Sequence, residues 1–115
     1  MAITIFHNPR CSKSRATLAL LQERGIEPDI RLYLQDPPDS AELEGILALL
    51  GRSPRELMRK GEAEYREQGL ADENLNDAAL VAAMAATPKL IERPIVLANG
   101  KAAVGRPPES VLEIL

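Results

Sequence analysis

The spacing of apolar and polar residues changes several times along the chain. Residues 2–6, Ala-Ile-Thr-Ile-Phe, are short and β-branched and end on an aromatic, which predicts a strand. His7-Asn8-Pro9-Arg10 is a loop marked by Asn-Pro. Residues 11–24 carry a helical pattern that Gly25 stops. Asp29-Ile30-Arg31-Leu32-Tyr33-Leu34 alternates, which predicts a second strand, and Asp36-Pro37-Pro38 breaks it. Asp39 followed by Glu42 forms a capping box for a helix whose Leu43, Ile46, Leu47 and Leu50 make one buried stripe, with Gly51 at its end. Ser53-Pro54-Arg55-Glu56 starts a short helix with a cap, a proline at the first helical position and a glutamate at the third. That helix turns Leu57 and Met58 inward and Arg59-Lys60 outward. Residues 62–68 add another turn or two, and 77–86 form a strong helix stopped before Pro88. The period then changes back. Pro94-Ile95-Val96-Leu97 is strand-like, and Asn99-Gly100 is a hairpin signal because type I′ turns need positive φ at both central positions. Lys101 to Val104 return antiparallel, and Pro107-Pro108-Glu109 opens a last helix running to Leu115.

The order is therefore β-α-β, three helices, β-β-α. A strand-helix-strand unit implies a right-handed parallel crossover, and a tight hairpin implies an antiparallel pair. The sum is an α/β domain with a small mixed sheet. At 115 residues, the expectation is one domain, 1–115, with a helical insertion at about 39–87 too short to be an independent domain.

Composition narrows the function. Charged residues are 27% and apolar residues 45%, an ordinary globular balance. A net charge of −3 and 3% aromatics argue against a nucleic-acid partner. No apolar run approaches the ~18 residues of a membrane span, and no basic segment precedes an apolar one at the N-terminus. The expectation is a cytoplasmic protein with no membrane association. One cysteine and one histidine exclude a disulfide scaffold and leave no metal site to expect.

That one cysteine, Cys11, falls where a strand has ended and a helix begins. The first N–H groups of a helix have no internal partner and its macrodipole is positive there, so a thiol loses its proton more easily. Arg10, Lys13 and Arg15 flank it, and the first acidic residue of the chain is Glu23. The pattern predicts a nucleophilic thiolate at a place that also suits an oxyanion. Cys11-Ser12-Lys13-Ser14 has serine where a dithiol motif needs cysteine, so an external thiol must resolve any adduct on Cys11. Ser14 either donates its hydroxyl to the thiolate or caps the first turn. His7 either tunes the thiolate as an imidazolium or simply hydrogen-bonds the loop backbone. Asn8 shapes the turn, with a bond to Cys11 as its other option. Arg59 ends the short third helix, Arg93 precedes Pro94 at a strand start, and Arg106 follows Gly105 at the end of the hairpin. Taken singly, each is a solvated surface charge; converging at strand ends beside a helix N-terminus, they would clamp an oxyanion.

The segment His7-Asn8-Pro9-Arg10-Cys11-Ser12-Lys13-Ser14-Arg15 resembles the active-site loop of the glutaredoxin-coupled arsenate reductases. The likeness continues through Leu32-Tyr33-Leu34, Pro37-Pro38, Glu56-Leu57-Met58-Arg59-Lys60, Tyr65 to Gly69-Leu70, Ile91-Glu92-Arg93-Pro94-Ile95-Val96, Gly105-Arg106-Pro107 and Val111-Leu112. The resemblance implies a thioredoxin-like, three-layer α/β fold with a small mixed four-stranded sheet and a helical insertion. It also implies a cis peptide at Arg93-Pro94. By motif it makes Cys11 the nucleophile that attacks arsenate, with His7 and Ser14 favouring its thiolate. Arg59, Arg93 and Arg106, with Asn8 and Ser12 beside them, are the implied substrate-binding residues. Glutathione is the implied co-substrate, with no bound cofactor, and glutaredoxin the partner that clears a mixed disulfide from the cysteine. Two alternatives stand beside this reading. One is a thiol-dependent reductase of another oxyanion or of glutathione mixed disulfides. The other is an Spx-like redox regulator that binds RNA polymerase, against which Ser14 counts, because the redox-sensing members use a Cys-x-x-Cys switch.

Overall fold

Strand β1 (Thr4–Phe6) is an inner strand of a four-stranded sheet in the order β2-β1-β3-β4. The computed structural model describes residues 2–115. From β1 the chain passes through helix α1 (Ser12–Glu23) to β2 (Asp29–Arg31), which pairs parallel with β1 in the register Ile5↔Ile30. The parallel pairing is the one expected. Strand β3 (Ile95–Ala98) lies antiparallel on the other side of β1, with Ile5↔Val96. Strand β4 (Lys101–Val104) returns beside β3 through Asn99 and Gly100, whose φ values of 55° and 72° are the positive pair that such a turn requires. A 3₁₀ helix, Pro108–Ile114, ends the chain.

The register puts Ile5, Val96 and Ala103 side by side on one sheet face. That face packs on Leu21 of α1 and on Val111 and Ile114 of the last 3₁₀ helix, forming one apolar cluster with Ala98. Phe6, Ile95 and Val104 stand in register on the other face and are also buried. The mixed sheet is the thioredoxin-like α/β arrangement expected from the resemblance. Two cis peptides occur, Arg93-Pro94 and Arg106-Pro107; the first was expected and the second was not.

The chain divides into two compact units. The sheet, α1 and the C-terminal 3₁₀ helix form one, made of residues up to Asp36 together with Arg93–Leu115. Pro37–Glu92 form the other. This second unit holds α2 (Ser40–Leu50), α3 (Pro54–Leu57), α4 (Ala63–Glu67), α5 (Asp77–Ala86) and a 3₁₀ turn at Pro88–Leu90. Both expected capping boxes form, Asp39 with Glu42 and Ser53 with Glu56. Gly51 ends α2 at φ 66°, in the left-handed region where glycine meets no Cβ penalty. Leu43, Ile46 and Leu47 of the expected α2 stripe are buried while Leu50, at the helix end, is only half-buried, and Leu80, Val81 and Met84 of α5 are buried.

Several elements differ from the pattern reading. Strand β1 is three residues rather than five. Strand β2 stops at Arg31 instead of Leu34, because the N–H groups of Gln35 and Asp36 both donate to the Leu32 carbonyl and close a turn. The alternation through Leu34 therefore reflects a buried Tyr33 between turn residues, not a pleat. The last helix is 3₁₀ rather than α, with Ser110 N–H donating to the Pro107 carbonyl. Finally, α3 ends at Leu57, so Arg59 lies beyond it. Met58 leaves the helix to bridge Ile91, and Arg59 N–H donates to the Leu90 carbonyl at 2.8 Å.

Candidate active site

Cys11 is the N-cap of α1, with extended φ −93° and ψ 123°, so the helix starts at Ser12, one residue later than the expected start at 11. The loop before it is closed by backbone: Cys11 N–H donates to the Asn8 carbonyl at 3.0 Å, and Arg10 N–H to Asn8 Oδ1 at 3.0 Å. Arg15, one turn into the helix, reaches back with Nη1 to the Pro9 carbonyl at 2.9 Å. These bonds fix a short loop whose sequence, Asn-Pro, already favours a turn.

The thiol itself is buried, with 7% of the residue exposed. Burial by itself would raise its pKa. The net direction is nevertheless down, because the backbone N–H of Ser14, the charge of Arg93, the backbone N–H of Lys13 and a hydrogen bond from Arg93 all favour the thiolate. Cys11 makes no side-chain capping hydrogen bond, and no acidic residue stands in the first turn of α1. The first-turn N–H groups of Lys13 and Ser14 thus serve the Cys11 sulfur rather than a capping oxygen.

Ser14 is fully buried, and its hydroxyl lies against His7 Nδ1 at 2.6 Å while accepting the Asn8 N–H at 3.0 Å. It is the backbone N–H of Ser14 that favours the thiolate. His7 is also buried, and its pKa is lowered, first by that burial and then by the charge of Arg15. The setting favours a neutral imidazole. Nδ1 and the Ser14 hydroxyl share one hydrogen bond, whose direction follows the tautomer. His7, Ser14 and Asn8 thereby form one hydrogen-bonded group behind the loop. Ser12 is exposed as the first helical residue.

The sheet unit brings Arg93 to Cys11 and Arg106 to Arg93: Arg106 Nη1 donates to the Arg93 carbonyl at 3.1 Å. Arg93 is half-buried and Arg106 exposed. Gly105 precedes Arg106 for a packing reason that the sequence did not reveal. A Cβ there would come within 2.5 Å of Thr17 Oγ1 and 2.8 Å of Pro94 Cγ. Thr17 is fully buried and donates to the Lys13 carbonyl. Gly105 N–H donates to the Pro94 carbonyl at 2.9 Å. The glycine thus lets the hairpin end close onto α1 and Pro94, which carries Arg93 to the thiol.

Arg59 belongs to the other unit. There it pairs with Glu62 at 2.6 Å and with Glu92 at 3.9 Å, and Lys89 pairs with Glu62 and Glu64 at 3.5 Å each. Arg55, which the pattern reading treated only as a helix residue, is a structural clamp. It donates to Tyr65 Oη, the Leu70 carbonyl and the Asp72 carbonyl at 2.8, 2.6 and 3.0 Å. Among the described residues no group of three or more His, Cys, Asp or Glu side chains could hold a metal ion. No helix among them is long and apolar enough to cross a membrane.

Comparison with known proteins finds relatives over nearly the whole chain. A sequence profile of the ArsC family matches residues 6–114. The chain is 56% identical over 114 residues to an arsenate reductase of Neisseria meningitidis, covering 98% of this chain and 97% of that protein. It is 59% identical, over 98% of this chain and 96% of the other, to YfgD of Escherichia coli K12, whose name assigns no activity. The solved structure of an arsenate reductase from Vibrio cholerae superposes with a TM-score of 0.97 at 54% identity, covering 100% of this chain and 98% of that one.

Proposed function

The chain belongs to the ArsC family, and from that premise we propose that it is an arsenate reductase that draws its electrons from glutathione and glutaredoxin. One observation carries the reading: a buried thiol at the uncapped start of α1, held toward its thiolate by helix N–H groups and by Arg93. Arsenate resembles phosphate in charge and shape, so the donors that favour the thiolate also suit the substrate. Thiolate attack on arsenic(V) forms a sulfur–arsenic bond and expels one oxygen as water. A glutathione thiol then forms a sulfur–sulfur bond to Cys11. The sulfur–arsenic bond breaks with its electron pair left on arsenic, and arsenite departs. Two sulfurs are oxidised by one electron each and arsenic is reduced by two. A glutaredoxin thiol clears the mixed disulfide, since the chain has no second cysteine. In this reading Arg93 and Arg106 hold the oxyanion, and the His7–Ser14–Asn8 group fixes the loop from which Cys11 attacks.

The test is NADPH oxidation with arsenate, glutathione, glutaredoxin and glutathione reductase. Arsenate-dependent turnover that vanishes in Cys11→Ser is the expected result. No arsenate-dependent turnover, with Cys11 still hyper-reactive, overturns the arsenate assignment and points to another thiol-dependent substrate.

A further inference from the structure

Strand β2 is an edge strand, with β1 on one side only. Two bonds fix which way its backbone groups point. Asp29 N–H donates to the Ile3 carbonyl at 2.8 Å, and the Arg31 carbonyl accepts the His7 N–H at 2.9 Å, so both groups face β1. In a trans peptide the C=O and N–H point opposite ways, and the peptides of β2 are trans. The Pro28 carbonyl and the Leu32 N–H therefore face away from β1. Strand alternation turns the N–H and C=O of Ile30 outward as well. The open edge thus presents an acceptor at Pro28, a donor and an acceptor at Ile30, and a donor at Leu32. Pro28 has no N–H to leave unpaired, and the Leu32 carbonyl already accepts from Gln35 and Asp36. Ile30, at the centre, is 49% exposed. Asp29 and Arg31 flank it on the opposite face. Asp29 is exposed, while Arg31 is held over the Phe6 ring, 5.3 Å from its centroid, and against Asp36 at 3.5 Å.

We propose that β2 pairs antiparallel with β2 of a second copy of this chain, about a two-fold axis at Ile30. Such a contact is isologous, so one edge must complement itself. This edge does. Ile30 N–H and C=O exchange two bonds with Ile30 of the second copy. Each Leu32 N–H meets the Pro28 carbonyl across the axis. Asp29 falls opposite Arg31, and Arg31 opposite Asp29, which makes two cross-strand pairs of opposite charge. No outward donor faces a donor, and no outward acceptor faces an acceptor. The other edge strand, β4, differs. It opens with the exposed Lys101, the kind of charge that blunts an edge, whereas the charges of β2 match one another. The contact joins two four-stranded sheets into one. It uses neither Cys11 nor Arg93, so it stands independently of the reductase reading. The paired segment is short, which puts the dimer at the weak end of interfaces, below the ~1,200 Å² of standard ones.

Sedimentation equilibrium of the full chain, from micromolar to millimolar concentration, tests it. Wild type should pass from monomer to dimer across that range. Asp29→Arg and Arg31→Asp should each weaken the dimer about tenfold, since two attractive cross-strand pairs become repulsive. An equimolar mixture of these two variants should recover the wild-type association, because each then meets its complement in the other. A variant that is merely destabilised gives no such rescue. Ile30→Lys puts like charges together on the axis and should weaken the dimer as much; Ile30 is exposed, so its replacement does not empty the core. In a mixture of labelled and unlabelled wild-type chains, an isotope-filtered NOE should connect the α-protons of Asp29 and Arg31 of different copies. A chain that stays monomeric at millimolar concentration overturns the proposal. So does a dimer that Asp29→Arg and Ile30→Lys leave unchanged, which would use another surface. A mixture of two folded variants that fails to recover association overturns it too. Should Arg31→Asp fail to fold, Ile30→Lys and the NOE decide alone.

Discussion

Helix α1 starts differently from α2, α3 and α5 of the second unit, whereas the short α4 shares its lack of a side-chain cap. In α2, α3 and α5 a side-chain oxygen accepts a first-turn N–H: Asp39 from Glu42 at 2.8 Å, Ser53 from Glu56 at 3.4 Å, Asn76 from Ala79 at 2.9 Å. Each of those helices also has an acid in its first turn, Glu42, Glu56 or Asp77, which complements the dipole. Helix α1 has Cys11 at the cap, no side-chain capping bond and no first-turn acid. The same backbone donors exist in all four cases. Three helices use them for their own stability, and α1 turns them to the Cys11 thiolate. Stability forgone at a helix start is thus what makes that start reactive.

The strongest way to break this comparison is to give α1 an ordinary cap. Cys11→Ser should abolish arsenate-dependent turnover, because the nucleophile is gone. It should also stabilise the fold by about 1 kcal/mol, because a serine hydroxyl caps where the thiol does not. Urea denaturation of the two proteins measures the second effect. A serine variant less stable than wild type would show that α1 forgoes nothing at its start.

Arg93→Ala comes next. Removing one donor to the developing oxyanion should lower kcat/KM about 10²- to 10³-fold and move thiol reactivity to higher pH. Steady-state kinetics with a pH series on alkylation reads both together. An unchanged thiol titration would place Arg93 outside the site.

Gly105→Ala tests how Arg93 is carried to the thiol. The added methyl meets Thr17 and Pro94, and overpacking of this kind costs about 1–3 kcal/mol. A lowered Tm with slowed Cys11 alkylation is expected, and a fully stable, fully reactive variant would show that the contact does not matter. The smallest effects belong to the second unit. Asp39→Ala and Asn76→Ala should each cost about 1 kcal/mol by denaturation and leave Cys11 alkylation unchanged.

The comparison also shows why some of the molecule was legible in its sequence. Caps, glycine stops and the Asn99-Gly100 turn are local chemistry, and they fell where their residues indicated. The position of Cys11 at a strand-to-helix junction was legible for the same reason. Features set by distant contacts were not. Leu32 to Leu34 alternate like a strand, but the turn closed on the Leu32 carbonyl wins over the pattern. Arg59 read as a helix end, yet pairing of Met58 with Ile91 sets its place. The hydroxyl of Ser14 was open between two roles, and burial against His7 engages it. Gly105 carries no local turn signal, so its contact with Thr17 and Pro94 appears only once the hairpin end meets α1.

The central claim is that the uncapped start of α1 holds Cys11 as a thiolate ready for an oxyanion. The most direct measurement is the rate of iodoacetamide alkylation of Cys11 from pH 4 to 10, with and without arsenate. The folded-state pKa is lowered, so the thiolate persists to lower pH, and reactivity is lost only as pH falls through that lowered value. The account predicts a midpoint below the ~8.5 of a free thiol, and slowing by arsenate. A midpoint at the free-thiol value, indifferent to arsenate, would contradict it.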